Sequence, residues 1–171
     1  IVHPALRART LKEFIALAKS RPGTLTMGSA GTGTSNHLTG ELFQTYTKTK
    51  LVHIPYKGSG PALVDIMGGQ IEVMFDQMSS SVTYIKAGKV RALGVSTLKR
   101  SSVLPEAPTF DESGLKGFES STSTGIALPA ATPKEIVSKV HGALLKVLRT
   151  PATREAFARL GADVIESTPE E

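Results

Sequence analysis

Short apolar segments alternate with amphipathic helical patterns through the first 95 residues, and this alternation restricts the fold more than any other feature of the chain. Strands that follow one another through helical connections pair in parallel and are covered on both faces. We therefore expect an α/β fold with a mostly parallel sheet flanked by helices. The predicted strands are 25–29, 51–54, 71–75 and 90–95, and the predicted helices are 10–20, 34–47, 59–67, 80–86, 132–148 and 150–160.

The composition is that of a globular protein, with one domain of ordinary size as the simplest expectation. The 171 residues are 40% hydrophobic and 20% charged. The absence of cysteine excludes disulfides, thiolate metal sites and cysteine nucleophiles. No apolar run approaches the roughly 18 residues of a membrane span, and the chain shows no signal-peptide pattern.

A net charge of +5 is compatible with binding of either nucleic acid or a small anion. The cations are spread along the chain, the longest run is Lys99–Arg100, and no aromatic residues are interleaved with them for base stacking. This distribution predicts a solvated basic surface and no nucleic-acid partner. The histidines lie on separate predicted elements without metal-ligand spacing, so we expect no metal site: His3, His37, His53 and His141.

The stretch Ser-Ala-Gly-Thr-Gly-Thr-Ser-Asn-His (29–37) connects a predicted strand to a predicted helix. Gly31 and Gly33 allow a tight turn with exposed main-chain N–H groups, and Thr34 or Ser35 is expected to cap the helix. The first N–H groups of a helix lack intrahelical partners, so together these donors suit a carboxylate or a phosphate. The alternative is an ordinary capped turn that binds nothing.

Two further segments are expected at the same edge of the sheet, because the carboxyl ends of parallel strands lie together. Tyr56 and Lys57 follow the second predicted strand, and Asp76 follows the third. These side chains either line a binding site or form a surface turn and a helix cap. His53, within the second strand, is expected in the core.

No pattern in the sequence predicts catalysis or a cofactor. There is no Gly-x-Ser-x-Gly elbow, and local context does not draw a Ser, a His and an acidic residue together. The glycines at 31 and 33 do not complete a dinucleotide pattern, since Asn36 stands where the third glycine belongs, and no P-loop is present. We therefore expect a binding protein that is not an enzyme.

Both ends of the chain indicate a piece of a longer protein. It begins Ile-Val-His-Pro without Met, and Thr168, Pro169 and Glu171 form a helix-start pattern with no helix after it. A lobe without its partner exposes apolar surface. We therefore expect the fragment to form a homodimer or to exchange its terminal helices.

An ordered set of motifs resembles one protein family. The motifs are GSAGTGTSNHL (28–38), VHIPYKG (52–58), GGQ (68–70), MFD (74–76), IKAGKVRAL (85–93), LP to PT (104–109), ALPA (127–130), TPKE (132–135) and LGA (160–162). In this order, and across nearly the whole chain, they resemble the Bug-type periplasmic solute-binding proteins of tripartite tricarboxylate transporters.

The resemblance implies a type II periplasmic-binding-protein fold, in which two α/β lobes joined by two hinge strands enclose a carboxylated solute. It assigns residues 1–118 to the second lobe with the first hinge strand, and 119–171 to the return hinge and the C-terminal helices of the first lobe. It further implies an exported periplasmic receptor that delivers a small organic acid to membrane permease subunits. The alternative is the effector-binding domain of a transcription regulator with similar lobes.

The resemblance also implies a set of solute-binding residues. The loop after the first strand would hold a carboxylate through main-chain N–H groups and hydroxyls, and Asp76 would accept from a donor on the solute or from a bridging water. Ser121 to Thr124 depart from the family, in which relatives often carry an aromatic pair. The implied ligand-binding residues are Ser29, Ala30, Gly31, Thr32, Gly33, Thr34, Ser35, His37, Tyr56, Lys57 and Asp76.

Overall fold

The computed structural model describes residues 1–169 of the chain. Contacts divide the chain into two compact units, residues 1–122 and the residues from 123 onward. The elements are α1 (Leu11–Ser20), β1 (Thr26–Ser29), α2 (Ser35–Thr47), β2 (Val52–Pro55), α3 (Ser59–Met67), β3 (Val73–Met74), α4 (Met78–Lys86), α5 (Lys134–Leu148) and α6 (Pro151–Arg159).

The first unit is built on a three-stranded parallel sheet with β1 in the centre and the order β2–β1–β3. Thr26–Ser29 pair with Val52–Pro55 on one side, and Met27–Gly28 pair with Val73–Met74 on the other. A helix follows each strand, and α2 and α3 return the chain to the starts of β2 and β3. The predicted α/β class, a parallel sheet flanked by helices, is confirmed.

The central strand β1 and the strand β3 are buried, as expected for a parallel sheet covered by helices, whereas Val52 and Pro55 of the edge strand β2 are exposed. Met27 and Val73 belong to a core cluster with Phe14 of α1 and Phe43 of α2. Met74 belongs to a second cluster, built around the buried residues of α3 and Ile71. The two clusters hold helices against the sheet and fix the edge at which the strands end.

The predicted strands differ from the observed ones at two places. Only Val73–Met74 of the predicted strand 71–75 lies in the sheet. The predicted strand 90–95 is wrong: Arg91 forms an isolated antiparallel bridge with Val2, and Val95 forms a parallel bridge with Thr109. The apolar pattern there reflects burial, as at Val90, because apolar periodicity does not require a partner strand.

The predicted helix caps are partly confirmed. Thr10 accepts a hydrogen bond from the Glu13 N–H at 3.2 Å, whereas the Glu13 carboxylate returns to the N–H of Arg9 instead of Thr10. The cap predicted at Thr132 is wrong, because Pro133 takes the N-cap position of α5 and offers no side-chain acceptor. The pattern predicted at the C terminus includes Glu171, which lies outside the described residues.

The second unit contains α5 and α6, and neither helix buries a residue. Thr150 caps α6 as predicted, accepting from the N–H of Thr153 at 3.3 Å. In α5 the expected inward face includes Ile136 and Val147, which are 49% and 55% exposed. Among the described residues of the chain, no helix has the length and apolar character needed to cross a membrane.

Candidate functional site

Three chain segments meet at the carboxyl edge of the sheet, each between a strand and the N terminus of a helix. They follow β1, β2 and β3 and lead into α2, α3 and α4. Main-chain hydrogen bonds join the first two segments, from Tyr56 N–H to Ser29 O and from Gly58 N–H to Ala30 O, both at 3.0 Å. Because helix N termini carry partial positive charge, this edge favours anions.

The turn from β1 to α2, residues 30–34, closes on the carbonyl of Gly31. This oxygen accepts from the Thr34 hydroxyl at 2.7 Å and from the Thr34 N–H at 3.3 Å. Gly31 and Gly33 adopt φ values of +141° and +80°, which residues with a Cβ rarely reach. Thr34 is the N-cap residue of α2 but does not cap it with its side chain, because its hydroxyl is used within the turn.

Two of the main-chain amides expected to face a ligand already have partners. The Gly31 N–H donates to the Ser29 hydroxyl at 3.1 Å, and the Gly33 N–H donates to His37 Nδ1 at 3.2 Å. The expectation of bare N–H groups at these glycines is therefore wrong, since the flanking Ser29 and His37 side chains fold back onto them.

The available donors lie one step further along the chain. In the part of the chain that the structure describes, no hydrogen bond engages the N–H groups of Ser35, Asn36 or His37, and no side chain caps α2. These three amides form the first turn of a helix of 13 residues. The anion-binding capacity of the loop therefore resides at the N terminus of α2.

A pair of stacked histidines lies beside the turn. The rings of His37 and His53 are parallel within 20°, with centroids 3.9 Å apart, and His53 Nε2 lies 2.7 Å from the Ser29 hydroxyl. Burial, and then the neighbouring His37, lowers the pKa of His53, while Glu41 opposes this shift. His53 is thus partly exposed and hydrogen-bonded, not a core residue as expected.

The sequence does not predict the stacking of these histidines, since His37 is among the implied ligand-binding residues but His53 is expected in the core. In the sheet, Met27 pairs with His53, and Ser29 pairs with Pro55. Because side chains two residues apart on a strand lie on the same face, His53 lies on the same face of the sheet as Ser29. Among the described residues, no group of three or more His, Asp and Glu side chains could hold a metal ion.

Asp76, at the end of β3, ties the three helix starts together. Its Oδ1 accepts from Asn36 Nδ2 and from the Ser59 hydroxyl, both at 2.9 Å, and its Oδ2 accepts from the Ser80 hydroxyl at 2.6 Å. The N-cap of α4 is Gln77, and no side chain caps that helix. Asp76 therefore does not act as a main-chain cap, and Oδ2 retains capacity for one more donor.

The remaining predicted residues differ in their availability. The Tyr56 hydroxyl donates to Asp65 Oδ2 at 2.7 Å, and its ring packs against the second core cluster. Burial, together with the hydrogen bond to Asp65, raises the pKa of Tyr56 to about 12. The structure therefore does not direct this hydroxyl to a solute. Lys57 is exposed, as is Thr32, while Ala30 of the turn and Ser35, the first residue of α2, are half-buried.

Comparison with known proteins assigns this arrangement to a family. Residues 1–170 match the model of the tripartite tricarboxylate transporter family receptor. The chain belongs to this family. Protein BugT of Bordetella pertussis is 34% identical over 171 residues, which cover 100% of this chain and 52% of BugT. The chain spans about half the length of the curated relatives it matches, with 45% and 49% of two others covered.

Solved structures of related receptors share the fold. R. palustris Rpa4515 with adipate superposes with a TM-score of 0.94 at 31% identity, covering 99% of this chain and 56% of that one. MatC from Rhodopseudomonas palustris with bound malate superposes with a TM-score of 0.91 at 31% identity, covering 99% and 57%. The predicted resemblance to Bug-type receptors is confirmed, and the family and fold are those of solute-binding receptors rather than enzymes.

Proposed function

We propose that this chain forms part of a periplasmic receptor that binds a small carboxylated organic acid, with one carboxylate at the N terminus of α2. The observation that carries the proposal is the set of unengaged N–H groups at Ser35, Asn36 and His37. They lie at the sheet edge where three helices begin. Adipate and malate in the related structures are both carboxylates, which supports the same chemical class here.

The predicted site residues have different proposed roles. Ser29, Gly31, Gly33 and Thr34 shape the turn through hydrogen bonds within it. Lys57 adds positive charge, and Asp76 accepts from a donor on the solute or from water. The residues proposed to contact the solute through main-chain N–H groups and hydroxyls are Ala30, Thr32, Ser35 and His37. Tyr56 contributes through its main-chain N–H bond to Ser29 rather than through its hydroxyl.

The strength of binding follows from the small number of contacts in this chain. A helix N terminus stabilises an anion by about 0.3–2 kcal/mol, whereas micromolar affinity requires about 8 kcal/mol. We propose that residues 1–118 form one lobe and that 119–171 belong to the return hinge and the other lobe. Closure of the two lobes then supplies the remaining free energy of binding. This chain alone is expected to bind dicarboxylates in the millimolar range or more weakly.

The binding site is tested by ¹H–¹⁵N NMR titration of the 171-residue chain with adipate and with malate. The amide signals of Asn36 and His37 are expected to move in the millimolar range, and the neutral diamide of adipic acid is expected to leave them unmoved. Shifts that are the same for the acid and its diamide, or confined to other residues, contradict the proposal.

A matched pair of variants at Ser35 tests the main-chain donor itself. Proline is favoured at the first position of a helix, and Thr34 has a ψ of 162°, which suits the residue before proline. Ser35→Pro removes one N–H and is expected to weaken adipate binding about fivefold, equivalent to roughly 1 kcal/mol. Ser35→Ala keeps the N–H and is expected to retain most of the affinity. Equal effects of the two variants would show that the N–H is not a contact.

We further propose that the parent protein delivers its solute to membrane permease subunits. A signal peptide upstream, and recovery of the tagged parent protein in the periplasmic fraction, would support this function. A DNA-binding helix-turn-helix upstream would instead support the transcription-regulator alternative.

Light scattering of this chain tests the expected homodimer, which a monomeric mass would contradict.

A further inference from the structure

We infer that His53 is a positioning residue for the carboxylate site: through the Ser29 hydroxyl it holds the Gly31 turn in the conformation that presents the N terminus of α2. This inference rests on the proposed function. His53 is not among the residues proposed to contact the solute, and it belongs to a different element, β2, from the turn it supports.

The partners of the Ser29 hydroxyl determine which group donates. Its oxygen lies 3.1 Å from the Gly31 N–H, 3.1 Å from the Gly31 carbonyl and 2.7 Å from His53 Nε2. A hydroxyl has one proton and accepts through two lone pairs. The carbonyl can only accept and the amide can only donate. All three bonds are therefore made only if Ser29 donates to the carbonyl and His53 donates from Nε2.

The Ser29 bond continues into the start of α2. The Gly31 carbonyl that accepts from Ser29 also accepts the hydroxyl and the N–H of Thr34, the N-cap residue of α2. Ser29 is fully buried, so an unmet hydrogen bond there is costly. Loss of the His53 donor is therefore transmitted through Ser29 and Gly31 to the position of Thr34.

Stacking extends the same support to the second glycine. His37 Nδ1 accepts the Gly33 N–H, which requires an unprotonated Nδ1, and the His37 ring lies 3.9 Å from that of His53. The polar and titratable groups around the His53 ring are Ser29 from β1, and His37 and Glu41 from α2. His37 Nε2 lies 3.7 Å from Glu41 Oε1. One histidine thus holds each side of the turn: His37 accepts at Nδ1, and His53 donates from Nε2.

The test compares His53→Leu with His53→Gln by ¹H–¹⁵N NMR. Leucine removes the donor, whereas the glutamine amide can place an N–H near the position of His53 Nε2. His53→Leu is expected to move the Gly31 amide signal and to weaken adipate and malate binding about three- to tenfold. His53→Gln is expected to restore the Gly31 signal and most of the affinity. His3→Leu, on a ring that packs near Gly69, serves as the control and is expected to change neither.

The imidazole nitrogens of the wild-type chain provide a measurement that needs no variant and no solute. Long-range ¹H–¹⁵N correlation is expected to show His53 protonated at Nε2 and bare at Nδ1. The opposite tautomer, or a His53→Leu chain with an unmoved Gly31 amide, overturns the inference. If wild type binds neither acid but the tautomer and the Gly31 shift are as expected, the positioning of the turn stands and the proposed carboxylate site fails.

Discussion

The turn after β1 and the segment after β3 end at the same sheet edge, yet they present opposite chemistry. The first leaves the N–H groups of Ser35, Asn36 and His37 without engaged partners in the described part of the chain. The second places the Asp76 carboxylate among three side-chain donors from α2, α3 and α4. The first region is rich in hydrogen-bond donors, and the second carries the negative charge of the Asp76 carboxylate.

The difference shows that a sheet edge with several helix N termini does not by itself define an anion site. Asp76 already supplies an anion near the start of α3 and α4, through Ser59 and Ser80. At α2 it engages the Asn36 side chain but leaves the main-chain amides. Under the proposed function, a solute carboxylate therefore binds at α2 and a solute donor at Asp76.

The largest expected effect comes from removing the carboxylate of the second region. Asp76→Ala removes the acceptor shared by Asn36, Ser59 and Ser80 and is expected to lower the free energy of unfolding by about 3 kcal/mol. The Asn36 amide and the Ser80 hydroxyl keep a second acceptor in the carbonyls of Phe75 and Gln77. Asp76→Asn keeps an oxygen for Asn36 and Ser59 and is expected to cost about 1 kcal/mol. Urea denaturation measures both values. An Asp76→Ala chain as stable as wild type would show that this hub does not tie the helices together.

Strain in the turn of the first region is expected to have the next largest effect. A Cβ at Gly33 meets no atom within 4 Å, so Gly33→Ala adds only the cost of its φ of +80°, about 1–2 kcal/mol. Gly88, at φ +67° beyond the far end of α4, has the same open surroundings and is the matched control. Both variants are expected to lose similar stability in urea, and only Gly33→Ala to weaken adipate binding. Equal binding by the two would separate the turn from the site.

A smaller effect is expected from the charge of Asp76 on the affinity for each acid. Two like charges roughly 8 Å apart in water repel by about 0.5 kcal/mol, or about twofold in affinity. Asp76→Asn is therefore expected to raise the affinity for adipate, which has no further donor, by about twofold. Malate carries a hydroxyl that can donate to Asp76, and its affinity is expected to fall by a similar factor. NMR titration of one variant with both acids tests this; parallel changes would exclude Asp76 as a solute acceptor.

Sequence periodicity predicted the parallel sheet, its helices and the edge at which the site lies, because these depend on apolar spacing and strand connectivity. Asp76 and the β1–α2 turn were found for the same reason. The strand predicted at 90–95 failed because pairing needs a partner strand: Arg91 instead meets Val2, far away in the chain. Buried segments with and without such a partner have the same pattern.

The hydrogen bonds within the site could not be predicted, because they depend on side-chain directions. Whether the Gly31 and Gly33 amides were bare was decided by how Ser29 and His37 fold back. A histidine in an apolar strand is commonly a core residue, so the sequence does not predict that His53 stacks on His37. Of the two sets of donors expected from the sequence, the amides of Gly31 and Gly33 are occupied, and those at the start of α2 remain.

The smallest expected effect is a pH dependence of stability that distinguishes the two regions, since the stacked His37 and His53 lie beside the first. The pKa of His53 is lowered from its ordinary value of 6.5, so below that pH the unfolded chain binds a proton that the folded chain resists. Stability from this group is present above pH 6.5 and is lost as pH falls through the folded pKa. Wild type is therefore expected to lose more stability than His53→Gln between neutral pH and pH 5, as measured by urea denaturation. The exposed carboxylates are common to both chains and cancel in this difference, so equal losses would mean that His53 titrates alike in the folded and unfolded states.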